Sequence, residues 1–133
     1  MSNKKVFLGG TCNGSLWREE LKPFLEINYF DPVVDDWNEE AYQQELHERA
    51  TADFVLYVIT PKMAGAYAIA EVVDDSNKQP EKTVYCYLMG DGGDVFTESQ
   101  LKSLRNVGRM VEANGGKMFG NLADAVNYLN SFA

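Results

Sequence analysis

The run Asp53-Phe54-Val55-Leu56-Tyr57-Val58-Ile59-Thr60-Pro61 constrains this chain more than any other segment. An unbroken apolar stretch of that length has no polar face, so a strand built from it must be covered on both sides. The natural place is the centre of a sheet that carries helices above and below. Pro61 has no N–H to give to a ladder, which ends the strand there.

The flanking sequence supplies the elements such a strand needs. Lys5 to Leu8 is a short apolar run closed by Gly9-Gly10, a first strand. Ser15 can cap a helix to about Glu26, with Leu16, Leu21, Phe24 and Leu25 on one broad face. Ile27 to Phe30 reads as a second strand, ended by Asp31-Pro32. Asn38 can cap a helix to about Thr51 whose apolar positions are few (Ala41, Tyr42, Leu46, Ala50). Beyond the central strand come a helix from about Ala64 to Asn77, a buried strand from Lys82 to Met89 and a flexible polar loop, Gly90 to Asp94. Thr97-Glu98-Ser99-Gln100 fits a capping box that opens a helix to about Ala113. A short strand over Lys117 to Phe119 leads to a last helix, in which Leu122, Ala125, Val126 and Leu129 keep helical spacing.

Strand and helix alternate without repeats or linkers, which predicts an α/β protein. The expected fold is a flavodoxin-like or Rossmann-like three-layer sandwich: a five-stranded parallel sheet, order 2-1-3-4-5, with helices on both faces. A length of 133 residues fits one domain spanning the chain. The hydrophobic fraction of 45% fits a globular protein rather than a disordered one. A net charge of -8 argues against binding a nucleic-acid polymer or an anionic membrane, while leaving room for one nucleoside in a local pocket. The N-terminal segment does not read as a signal peptide, and no apolar run reaches the roughly 20 residues of a membrane span. Two cysteines, Cys12 and Cys86, in unlike contexts make neither a disulfide framework nor a metal motif, and His47 is the sole histidine. The expectation is a cytoplasmic, reduced protein without a metal or cofactor.

In open α/β sheets ligands bind beyond the carboxyl ends of the strands, near the point where strand order reverses. Three segments fall there. Gly9-Gly10-Thr11-Cys12-Asn13-Gly14-Ser15 opens into a helix, and glycines allow close backbone approach to a ligand. Its spacing is neither G-x-G-x-x-G nor a P-loop, and a tight turn before a capped helix is the plain alternative. Asp31-Pro32-Val33-Val34-Asp35-Asp36-Trp37 offers carboxylates for sugar hydroxyls and an indole for stacking, or else a solvated loop with Trp37 packed beneath it. After the third strand, Glu71 sits among Ile69, Ala70, Val72 and Val73. A carboxylate in that setting lies at a helix edge or is held for chemistry, and burial without a partner raises its pKa.

Five segments together resemble the nucleoside 2-deoxyribosyltransferase-like superfamily, nearest its short branch: Val6-Phe7-Leu8-Gly9-Gly10-Thr11, Trp17-Arg18, Tyr29 to Trp37, Ala52 to Pro61, and Ala70-Glu71-Val72. The likeness covers roughly residues 5 to 90. The Asp-Pro-x-x-x-Asp-Trp core at Asp31 to Trp37 is its most specific part.

By that resemblance, Glu71 matches the family nucleophile on the helix after the third strand. The implied chemistry is a retaining double displacement at the sugar C1′ of a nucleoside or nucleotide, run as transferase or hydrolase. Glu45, on the preceding helix, is the candidate second acid. The implied substrate contacts are Gly9, Gly10, Thr11, Asn13, Trp17, Asp31, Pro32, Asp35, Asp36, Trp37 and Gly65. The chain departs from the family at Gly65, where well-studied members carry an aspartate, and in a longer spacing from Gly65 to Glu71. Its C-terminus, Asn127 to Ala133, does not match the segment those members lend to a neighbour's site. A non-catalytic nucleoside-binding module on the same fold is the competing expectation. A receiver domain is excluded, because Gly9-Gly10 and Thr60 stand where its acidic residues belong. A flavin carrier would be yellow. A homo-oligomer is expected from the family alone.

Overall fold

A computed structural model describes residues 3–12 and 14–133. In chain order the elements are β1 (Lys5–Gly10), α1 (Trp17–Leu21), β2 (Asn28–Phe30), α2 (Glu39–Thr51), β3 (Phe54–Ile59), α3 (Tyr67–Lys78) and β4 (Thr83–Tyr87). They are followed by β5 (Gly90–Asp91), β6 (Asp94–Val95), α4 (Glu98–Ala113), β7 (Lys117–Phe119) and α5 (Leu122–Asn130). Short 3-10 turns cover Lys22–Phe24 and Pro80–Lys82.

The main sheet has five strands in the order β2-β1-β3-β4-β7, and every pairing is parallel. Numbered within the sheet, that is the expected 2-1-3-4-5. β3 is central and every one of its residues is buried. Alternation along the strand divides its side chains between two cores. Phe54, Leu56 and Val58 pack with Trp17 and Leu21 of α1 and Ala125, Val126 and Leu129 of α5. Val55, Tyr57 and Ile59 pack on the opposite face with Val72 of α3 and Leu101, Leu104 and Val111 of α4. Among the described residues no helix is long and apolar enough to cross a membrane.

Two caps form as the sequence predicts. The Asn38 side chain accepts from the Ala41 N–H at the start of α2. Thr97 and Gln100 close a reciprocal capping box on α4.

Four segments differ from the sequence expectation. The first helix begins at Trp17 without a side-chain cap and stops at Leu21. Pro23 lacks an N–H and crowds the preceding turn, so the backbone tightens into the 3-10 segment and leaves Leu16 and Phe24 exposed. The third helix starts at Tyr67, because Ala64, Gly65 and Ala66 offer no capping side chain. Gly90 to Val95 forms a small antiparallel hairpin, β5 with β6, in place of a loop.

β1 also runs on through both glycines, pairing Gly9 with Tyr57 and Gly10 with Val58. A Cβ on Gly9 would stand 2.6 Å from the Tyr57 ring. One on Gly10, whose φ is +117°, would stand 2.6 Å from the Val58 nitrogen. The glycines are therefore demanded by the β1–β3 contact itself, quite apart from any ligand.

Candidate functional site

A cavity of about 370 Å³ opens at the carboxyl ends of β1 and β3, a size in the range of small-ligand clefts. Gly9, Gly10 and Thr11 line its floor at the strand ends, and Pro32, Val33, Trp37, Glu45 of α2 and Tyr67 and Glu71 of α3 line its sides, with the Trp37 ring 5.4 Å from that of Tyr42 on α2.

The floor is fixed by hydrogen bonds. The Thr11 N–H donates to the Val58 carbonyl at 2.9 Å, and its hydroxyl accepts from the Thr60 N–H at 3.0 Å. The Thr11 carbonyl accepts twice, from Trp17 Nε1 and from Arg18 Nη1, each at 2.7 Å. Arg18 also donates to the carbonyls of Leu8 at 3.0 Å and Gly10 at 3.3 Å. One buried guanidinium thus staples the end of β1, and burial depresses its pKa.

At the side of the cavity, Glu71 is only 9% exposed. Its carboxylate lies 3.9 Å from Arg49 Nη1, beyond hydrogen-bond reach. Burial is the largest influence on its acidity. Glu45 and Asp75 add to that effect, Arg49 opposes it, and the carboxyl is pushed up to about 7. Arg49 is itself engaged by Asp75 at 2.9 Å and Asp74 at 3.1 Å, and its pull on Glu71 is outweighed by burial. A buried acid with a strongly raised pKa and a half-buried one lining the same cleft are an arrangement suited to proton transfer or nucleophilic attack.

A family profile described as nucleoside 2-deoxyribosyltransferase like matches residues 3–87, from ahead of β1 to the end of β4. The chain belongs to the nucleoside 2-deoxyribosyltransferase-like family. No curated protein matches the chain. Every residue that lines the cavity of this deoxyribosyltransferase-like protein falls inside the matched span.

Of the residues singled out from the sequence, Gly9, Gly10, Thr11, Pro32, Trp37, Glu45, Gly65 and Glu71 line the cavity. Asn13 lies outside the described residues.

Four others stand elsewhere. Trp17 is buried at 1% exposure beneath the floor, where its indole N–H is used by Thr11. An α1 that starts at Trp17 turns this side chain into the core, away from the cavity lining. Asp31 is spent on Lys22 at 2.7 Å and on Arg18 at 3.7 Å, and it accepts from the Val33 N–H at 2.9 Å. It shapes the wall without lining it. Asp35 and Asp36 are exposed to solvent and stand off the cavity lining. The open loop presents Trp37, 61% exposed, to the cavity rim instead.

Arg18, Met63 and Tyr67 line the cavity without having been foreseen. Arg18 follows Trp17 within a family segment, and Tyr67 lies one helical turn before Glu71, so i, i+4 spacing was the signal available for it.

Proposed function

We propose that this protein cleaves the N-glycosidic bond of a nucleoside or nucleotide, with Glu71 as nucleophile and Glu45 as proton donor. The observation that carries this is that two carboxyl groups near enough to influence each other line one cavity together with an exposed indole. Membership of the deoxyribosyltransferase-like family supports the substrate class.

The base stacks against Trp37, and the sugar turns its C1′ toward Glu71. The Glu71 carboxylate attacks C1′, the C1′–N bond breaks, and Glu45 protonates the departing base nitrogen. A second base or a water then attacks the sugar ester, returning the proton to Glu45 and restoring the original configuration. Attack requires the ionised carboxylate, so turnover rises with pH through about 7.

A binding module without turnover is the alternative, and Gly65 favours it. The position is exposed, with open space around it and no carboxylate to offer. A cytoplasmic homo-oligomer without a metal or cofactor is part of the proposal.

Incubating the protein with deoxynucleosides and their 5′-monophosphates, with and without an acceptor base, separates the possibilities by chromatography. Released base that disappears in Glu71→Ala supports the enzyme, and dependence on acceptor base marks a transferase. Thermal stabilisation by a nucleoside without turnover supports the binder.

A further inference from the structure

Beneath the cavity, along the seam between α2 and α3, lies a charged cluster that the chemistry above does not use directly. Asp75, 3% exposed, is its anchor. One carboxylate oxygen accepts from Arg49 Nε at 2.9 Å and from the Tyr57 hydroxyl at 2.5 Å, and the other from Gln79 Nε2 at 3.0 Å. Arg49 Nη2 donates to Asp74 at 3.1 Å and to the Glu71 backbone carbonyl at 3.4 Å. A guanidinium is a rigid planar fork, so gripping Nε and Nη2 fixes where Nη1 points. It faces the Glu71 carboxylate at 3.9 Å.

That separation has chemical meaning. A two-pronged salt bridge from Arg49 would occupy the oxygens Glu71 needs for attack. With no cation at all, a buried carboxyl beside other acids would remain protonated. Arg49 at 3.9 Å supplies charge while leaving the lone pairs open to the cavity, and the grip of Asp75 is what keeps it from closing. The charged and titratable groups around Glu71 are Glu45 and Arg49 from α2, Tyr57 from β3, Tyr67, Asp74 and Asp75 from its own helix, and Arg18 of α1 at the cavity. Among the described residues, Arg49 is the one cation within ion-pairing distance of Glu71.

We propose that Arg49 is a positioning residue: clamped by Asp75 and Asp74, it presents Nη1 to Glu71, aims that side chain and eases its ionisation. This rests on Glu71 as the reacting group, but it can be tested on Glu71 directly, whether or not turnover is found.

The measurement is a carboxyl-carbon NMR titration of the full chain labelled at glutamate, with the Glu71 signal assigned by its loss in Glu71→Gln. In Arg49→Gln the Glu71 midpoint should rise by about one pH unit, because the stabilising charge has gone. In Asp75→Asn it should fall, because one negative neighbour is removed and Arg49 is freed to close on Glu71. Simple loosening of the seam would hydrate Glu71 and lower the midpoint in both variants. A fall or no change in Arg49→Gln therefore overturns the proposal, as does a rise in Asp75→Asn. If Arg49→Gln does not fold, Arg49→Lys keeps a charge on Asp75 but withdraws the arm facing Glu71. A smaller rise is then expected, and none refutes the assignment. Where the parent turns over, the acid limb of its pH profile should move with the NMR midpoint. A parent with no turnover bears on the catalytic proposal alone and leaves the titration to decide Arg49.

Discussion

Replacing Glu71 with glutamine should stabilise the protein, and by an amount that grows with pH. The Glu71 carboxyl titrates at 4.5 as an ordinary group and at about 7 in the folded protein, chiefly because it is buried. Between those values the folded chain holds a proton that the unfolded chain has lost. Stability from this group is therefore complete below about pH 4.5 and has drained away once the pH passes about 7. Each pH unit of displacement is worth about 1.4 kcal/mol, so the ionised side chain costs the fold roughly 3 kcal/mol at pH 8. Glutamine keeps the shape and never ionises. The sequence pI of 4.6 makes the acid end prone to precipitation, so pH 5.5 and pH 8 are the practical pair. Across that interval the advantage of Glu71→Gln over the parent should increase by about 2 kcal/mol, which is about 1 M in urea midpoint for a chain of this size. Other titrating groups are common to both proteins and cancel in the difference. A stability difference that stays constant from pH 5.5 to 8 would mean that Glu71 titrates alike in folded and unfolded chains, and the burial argument would fail.

Gly10→Ala should destabilise by more than about 2 kcal/mol, since its Cβ would meet the Val58 backbone at a φ of +117°, and urea denaturation would register the loss. A variant as stable as the parent would show that β1 and β3 can separate at no cost. Trp37→Ala should cost no more than about 1 kcal/mol of stability, the worth of its ring contact with Tyr42. It should weaken nucleoside binding about tenfold by calorimetry, because the exposed indole is proposed to stack on the base.

The sheet was legible in the sequence because its signals are local. An apolar run such as Phe54 to Ile59 announces burial on both faces without reference to anything distant, and Thr97 meets Gln100 only three residues away. The site was legible in outline, since strand ends collect ligands wherever parallel sheets occur. What the sequence did not disclose is where polar side chains send their hydrogen bonds. Trp17 and Asp31 look like ligand contacts as isolated residues, yet partners in the fold consume both. Arg49 lies 26 residues before Asp75, and no local period links them. Nor does any pattern reveal that Asp35 and Asp36 point to solvent while Trp37, next in the chain, borders the cavity.

α2 has no fully buried residue, in keeping with its few apolar positions. Its ties to the rest of the fold include ionic and polar ones. Arg49 reaches α3, Lys5 pairs with Glu48 at 3.1 Å, and Lys82 caps the helix end by donating to the carbonyls of Ala50 and Ala52. This is the helix that carries Glu45 to the cavity and Arg49 to the back of Glu71. Dissolved ions screen the more exposed of these attachments, such as Lys5 to Glu48, far more than the buried Arg49–Asp75 pair or a packed apolar seam. The consequence is a site whose geometry answers to ionic strength. A nucleoside with no charge of its own would still bind with a salt dependence, inherited from the helix that frames it.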